Sequence, residues 1–370
     1  MKTYIKLITS FLFTILILSS CSTDIDEIVA KPLVNPEKVN VDNNDPFVCT
    51  DENGKESAFT FSWSAADFGA NISCEYVLLF DTEGNNFSNQ VELTAGINVL
   101  KKVVTSTELN TIMHARGLPI ETPTNLEVKV LARPMTIGAA DPALPVAIST
   151  SKVSVNVTSY VRPGVHIIGS PFDEYLNGDK FFWVPTNYQY IMFRDNPLDV
   201  TEVYTAYYLN FTGNGLRGEM AFLEDTKLGT WTTINKDIEG TLKYSGSNIK
   251  LDNEGYQTVK INLDLMTYSI EAYDASGAPS YTSVKLTGAG VSEEVVMQKT
   301  HYDPHIWIAD DVELTVGEVA FSLDGSTWGS DTYPYGKATK DGGSIGIQKQ
   351  AKFFVKYNDL TGHYVFYKKQ

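Results

Sequence analysis

Apolar and polar positions alternate with a period of two along most of this chain. In "SAFTFSW", Phe59, Phe61 and Trp63 fall on one side and Thr60 and Ser62 on the other, the pattern of a half-buried strand. "TNLEVKVLARPM" repeats it with Leu126, Val128 and Val130, and "STSKVSVNVTSY" with Val153, Val155 and Val157. "CEYVLLFDTEG" is an apolar strand running into a turn, and "VELTAGINVLKKVV" is further strand material. One stretch breaks the rhythm: "TSTELNTIMHARG" predicts a short helix, with Ser106 or Thr107 as its cap and Gly117 closing it. Short strands at this spacing predict a sandwich of immunoglobulin or fibronectin type III kind over residues 46–158. Trp63, flanked by alternating apolar positions, is expected in its core.

Two further β units follow, at 160–275 and 279–370, and their signposts repeat in one order. Val165-His166-Ile167-Ile168-Gly169 matches Val284-Lys285-Leu286-Thr287-Gly288. Gly218-Glu219-Met220-Ala221-Phe222 matches Gly317-Glu318-Val319-Ala320-Phe321. Then come Trp231 and Trp328, the turn before Ile249 and that before Ile345, and two closing strands in each unit. The lengths suit two compact sandwiches. The expected fold is all-β: an immunoglobulin or fibronectin III-like sandwich, then two tandem β-sandwiches.

At the N-terminus, Lys2 and Lys6 precede an apolar run from Ile8 to Leu18, and Ser19 and Ser20 precede Cys21. Basic, apolar and small-residue segments in this order make a secretory signal. The run is shorter than the roughly 20 residues a membrane-spanning helix needs. Leu18-Ser19-Ser20-Cys21 resembles the lipobox of bacterial lipoproteins. That resemblance implies removal of residues 1–20 and acylation of Cys21, whose chains anchor the protein in the outer membrane. Asp24, Asp26 and Glu27 resemble a surface-export signal and point outward from the cell. Residues 21–45, rich in Pro, Asn and Asp, are expected to form a flexible tether.

The formal charge of −16 argues against a nucleic-acid or anionic-lipid surface. Cys49 and Cys74 could pair in an oxidising compartment or stay as two buried thiols. The sequence contains neither a Gly-x-Ser-x-Gly elbow nor a His-Glu-x-x-His helix. Acid pairs such as Glu224-Asp225 and Asp310-Asp311 read as solvated. His301 and His305 flank Pro304, which opposes a helix, and they read as exposed loop residues. The loop "LDNEG" at 251–255 is an unspecific calcium candidate. No catalytic residue, metal or cofactor is expected.

The lipobox, the first unit with "FTFSWSAA" and the ordered signposts of the tandem units together resemble the SusE/SusF family of starch-utilisation lipoproteins. The resemblance implies that the tandem units are carbohydrate-binding modules, that the first is a spacer and that there is no catalysis. It implies work beside a TonB-dependent transporter, a second glycan-binding lipoprotein and a surface glycoside hydrolase. The segment "GSPFDEYLNG" lacks the Gly-x-x-Trp of the family pattern after the first strand of its unit, so the glycan could be starch or another polysaccharide.

A sugar ring offers an apolar C–H face to an exposed aromatic ring and a hydroxyl rim to polar side chains. Trp231 in "LGTWTT" and Trp328 in "DGSTWGSD" sit in turn-like surroundings. Lys227, Lys236 and Asp237 are candidate partners of the first; Asp331, Tyr333, Tyr335 and Lys337 are candidates beside the second. Trp307 with Tyr302, and Trp183 in "FFWVP", are alternative platforms. Each could equally be a packing residue. The competing function is a structural or adhesion lipoprotein whose sandwiches bind another protein.

Overall fold

A computed structural model describes residues 33–369 apart from 70–71, 137–138, 141, 143, 170–189, 199–200, 210–218, 252–254 and 301–302. The signal, Cys21, Trp183, Tyr302, His301 and the core of the "LDNEG" loop lie outside the described residues. Strands make up 51% of the described residues, arranged there in six sheets.

In the first unit, Ser57–Trp63 lies between Val39–Val41 and Lys101–Thr105. This sheet faces a second one containing Cys74–Thr82, Val91–Ile97, Thr124–Thr136 and Val153–Thr158. Phe59, Phe61 and Trp63 meet Leu78, Phe80, Val128 and Val130 in one buried core, so the period-two reading and the core place of Trp63 hold. Part of the stretch read as tether forms a strand, Val39–Val41. Val39 pairs with Trp63 and Val41 with Phe61, and Val39 is buried, because Val-Asn-Val has the same alternation as the strand it joins.

The helix Ser106–Ala115 is capped by Thr105 rather than by Ser106 or Thr107. Thr105 Oγ1 accepts from the Glu108 amide while the Glu108 carboxylate accepts from the Thr105 amide, a reciprocal box that satisfies two otherwise orphaned donors. Gly117, at φ +62°, closes it as the sequence suggests. Cys49 and Cys74 are buried free thiols.

The two later units share a plan. In each, the first strand pairs antiparallel with the Gly-Glu strand: Ile167 opposite Phe222, Leu286 opposite Phe321. Met220 pairs with Ile249 and Val319 with Ile345. In the facing sheets Val259 and Val355 are central, and each opposes a strand interrupted by a bulge, at Tyr204/Tyr207 and at Ala309/Val312. Gly169 and Gly288 end the first strands at φ +135° and +122°. A Cβ on either would fall 2.3 or 2.4 Å from the carbonyl oxygen of Glu219 or Glu318. Only glycine fits a strand crossing so close, which is why both copies keep it.

The units pack on one another through polar as well as apolar contacts. Ile191 and Phe193 of the second join Ile306, Tyr335, Phe354 and Val365 of the third in a shared cluster. The buried Lys356 amine donates to the Ile191 carbonyl at 2.8 Å. Gln348 of the third unit accepts from the Ile120 amide of the first at 3.1 Å.

Candidate functional site

The longer connection between two paired strands creates the most exposed tryptophan position among the described residues. Glu219–Glu224 pairs with Ile234–Lys236, and between them the chain makes successive turns. The Leu228 amide donates to the Asp225 carbonyl, and the Thr230 amide and hydroxyl both donate to that of Lys227. Gly229 takes φ +73°. Trp231, at the far end, is 66% exposed. Its carbonyl accepts from the Thr233 amide at 3.0 Å, so the ring projects from a segment held by its own hydrogen bonds.

The surroundings of this ring are polar. Lys227, Thr230 and Thr232 are exposed neighbours in the chain. Across the pairing, Tyr244 stands opposite Ile234, is half exposed and donates its hydroxyl to Glu224 at 3.2 Å. Lys243 and Asp237 form an exposed ion pair of 2.7 Å, and Lys236 lies 3.4 Å from Glu239. Beneath, the Asn235 amide group donates to Asn248, and that of Asn248 to Glu219. Sequence reasoning missed Tyr244; its signal was the alternation Leu242, Tyr244 on a strand opposite a buried Ile.

The matching position in the third unit is different from the one expected. Phe222 faces Ile234, whereas Phe321 faces Trp328. The register equivalent of Trp328 is therefore the buried Ile234, not Trp231. Trp328 is half-buried against the core, meets Tyr281 edge-on at 6.5 Å, and its indole N–H is buried without a partner among the described residues. Tyr333 packs on Phe353 and Phe366.

Two other candidates are covered. Tyr335 is 3% exposed, with the Arg194 guanidinium 4.6 Å above its ring; the second unit seals it. Trp307 is also 3% exposed, and its N–H donates to Asp359 at 2.7 Å. Asp359 simultaneously meets His305 Nδ1 at 2.6 Å, so His305 is half-buried and engaged rather than a free loop residue. Burial pushes the Asp359 carboxyl up, and the Trp307 and His305 hydrogen bonds oppose that shift. Neither ring presents a face to solvent. Lys337 is exposed, at the end of the strand that carries Tyr335.

The acid pairs divide. Asp310 and Asp311 are exposed and paired with Lys369 at 2.9 and 2.8 Å. Asp225 is not solvated as expected: it meets His166 Nε2 at 2.9 Å and accepts from the Tyr367 hydroxyl at 2.6 Å, between two units. No helix among the described residues is long and apolar enough to cross a membrane.

Residues 25–131 match the family described as SusE outer membrane protein. This SusE match spans the first unit up to its long central strand and the stretch that precedes it, and it agrees with the outer-membrane localisation read from the N-terminus. No curated protein matches the chain. Among solved structures, the chain is similar to SusF from Bacteroides thetaiotaomicron at 9% identity, over 92% of this chain and 77% of that one, with a TM-score of 0.26.

Proposed function

We propose that this protein is a cell-surface lipoprotein that binds a polysaccharide without chemistry, starch or another glycan, and retains it near a TonB-dependent importer. A SusE-type first unit and a signal ending at Cys21 support the placement. The exposed Trp231 on its bonded loop carries the binding claim. Anchored by lipid, the protein would present this ring to glycans outside the cell and hand them to the transporter and to a neighbouring glycan-binding lipoprotein.

Magnitudes set the expected strength. Covering ~100 Å² of indole with a sugar face contributes about 2.5 kcal/mol, less than the roughly 4 kcal/mol of a millimolar complex. Hydrogen bonds from Lys227, Tyr244 and their neighbours must supply the remainder, and repeated contacts along one polymer raise the effective concentration. Weak single-site binding to a long chain is the expected behaviour of a retention protein.

Affinity electrophoresis in gels containing single soluble polysaccharides tests this. Retardation by at least one glycan, lost in Trp231→Ala, is expected. Unchanged mobility in every gel, with co-purification of a protein partner, would favour the adhesion reading instead.

A further inference from the structure

We propose that the cleft where the three units meet is a second carbohydrate site, one that takes an end or a bend of a neutral glycan. The proposal rests on the glycan reading above and extends it to a surface distinct from that of Trp231. The cleft holds about 350 Å³, inside the roughly 300–1,000 Å³ of small-molecule sites. All three units line it: Glu121 from the first, Thr226 from the second, and the four aromatic residues Tyr333, Tyr335, Phe366 and Tyr367 from the third.

The chemistry of the walls selects the ligand. Of these rings Tyr335 and Phe366 are buried, and the half-buried Tyr333 and Tyr367 supply apolar surface for C–H faces. The charged groups around them are already engaged. Lys368 pairs with Glu121, Arg162 with Asp264 at 2.7 Å, and Asp225 with His166 and Tyr367. A phosphate or carboxylate would have to pull a cation from its partner. Hydroxyl groups can share those cations and carboxylates without separating them, since each carboxylate oxygen accepts more than one hydrogen bond.

The walls are also set before any ligand arrives. Gly164 forms part of the floor; a Cβ there would lie 2.7 Å from Ile191 Cδ1 and 2.9 Å from the Tyr335 hydroxyl oxygen, so the bare backbone lets Tyr335 settle on it. Gln348 bridges the first and third units, accepting from the Ile120 amide and donating to the Gly117 carbonyl at 3.4 Å. Fixed walls reduce the ordering cost of binding.

Hydrogen–deuterium exchange on the detergent-solubilised full-length protein reads both surfaces at once, with maltoheptaose, cellohexaose, xylohexaose and laminarihexaose as probes. At saturation with a bound probe, slower exchange is expected in 346–350 and 364–368, and separately in 228–245. Thr226→Trp and Lys349→Trp, exposed positions that line the cleft from the second and third units, should each abolish the first protection, keep the second and leave the melting temperature within about 2 °C. Trp231→Ala should do the reverse. Protection confined to 228–245, or cleft protection that survives both plugging variants, overturns the cleft and leaves the Trp231 reading intact. Protection confined to the cleft overturns the Trp231 reading instead, and none with any probe overturns both.

Discussion

The Tyr367 hydroxyl donates to Asp225 Oδ2 at 2.6 Å and thereby joins the last strand of the third unit to the second. Asp225 in turn holds His166, which is fully buried. His363 reaches back to Asp195 at 2.7 Å, and Lys356 to the Ile191 carbonyl. The tandem units are therefore connected through polar groups, among them the fully buried His166 and Lys356, which are costly to leave without a partner.

That seam should make the protein sensitive to mild acid. Burial holds the imidazoles of His166, His363 and, in the first unit, His114 below the ordinary histidine value. Between each folded value and about 6.5 the unfolded chain binds more protons, so stability falls as pH drops through that window. Asp359, raised by burial, acts in the opposite sense, while the buried Lys356, held well below the ordinary lysine value, acts in the same sense as the histidines. The melting temperature should decline from pH 7 to pH 5; a flat or rising profile would show that the histidines are not buried neutral.

Trp231 and Trp307 should respond oppositely to substitution. Trp231→Ala removes an exposed ring and should change stability by less than about 0.5 kcal/mol, while lowering the fraction of fluorescence quenched by iodide. Trp307→Ala empties a core position and strands Asp359, at a cost of about 3–5 kcal/mol. Denaturant midpoints separate the two; equal losses would contradict the assigned exposures.

Gly169→Ala and Gly288→Ala should damage their units alike. Each combines a left-handed φ with a Cβ driven into a facing carbonyl, which together cost at least about 2 kcal/mol. Gly346→Ala, where nothing lies within 4 Å of the added Cβ, is the control. Normal melting of both strand-end variants would refute the close crossing.

The thiols of Cys49 and Cys74 should resist reagents in the native protein. Burial raises both above the ordinary thiol value and the chain covers them. Native protein should react with Ellman's reagent at least about 100-fold more slowly than protein in guanidinium, because access requires opening. Both should react once unfolded, and a single mass without a two-hydrogen deficit would agree with free thiols.

Much of the fold was legible because period-two alternation fixes which face is buried, as at Phe59, Phe61 and Trp63. The repeat was legible because Gly169 and Gly288, Met220 and Val319, and Ile249 and Ile345 answer the same local steric demands. The candidate rings were not. Trp231 and Trp328 share a place in the order of signposts, but register depends on loop length, and only pairing reveals that Ile234 is the true counterpart. Tyr335 lies on a strand whose outer face looks available until a second unit covers it with Arg194. The cap at Thr105 was missed by one residue, although Glu108 three positions on was a readable sign.

The stretch between Phe222 and Ile234 is longer than that between Phe321 and Trp328, and its residues 226–232 lie in no strand. Insertions and replacements there could accumulate over generations without disturbing the sandwich. The makeup of this exposed turn is thus free to drift, while the position equivalent to Ile234 in the third unit keeps an indole packed against the core.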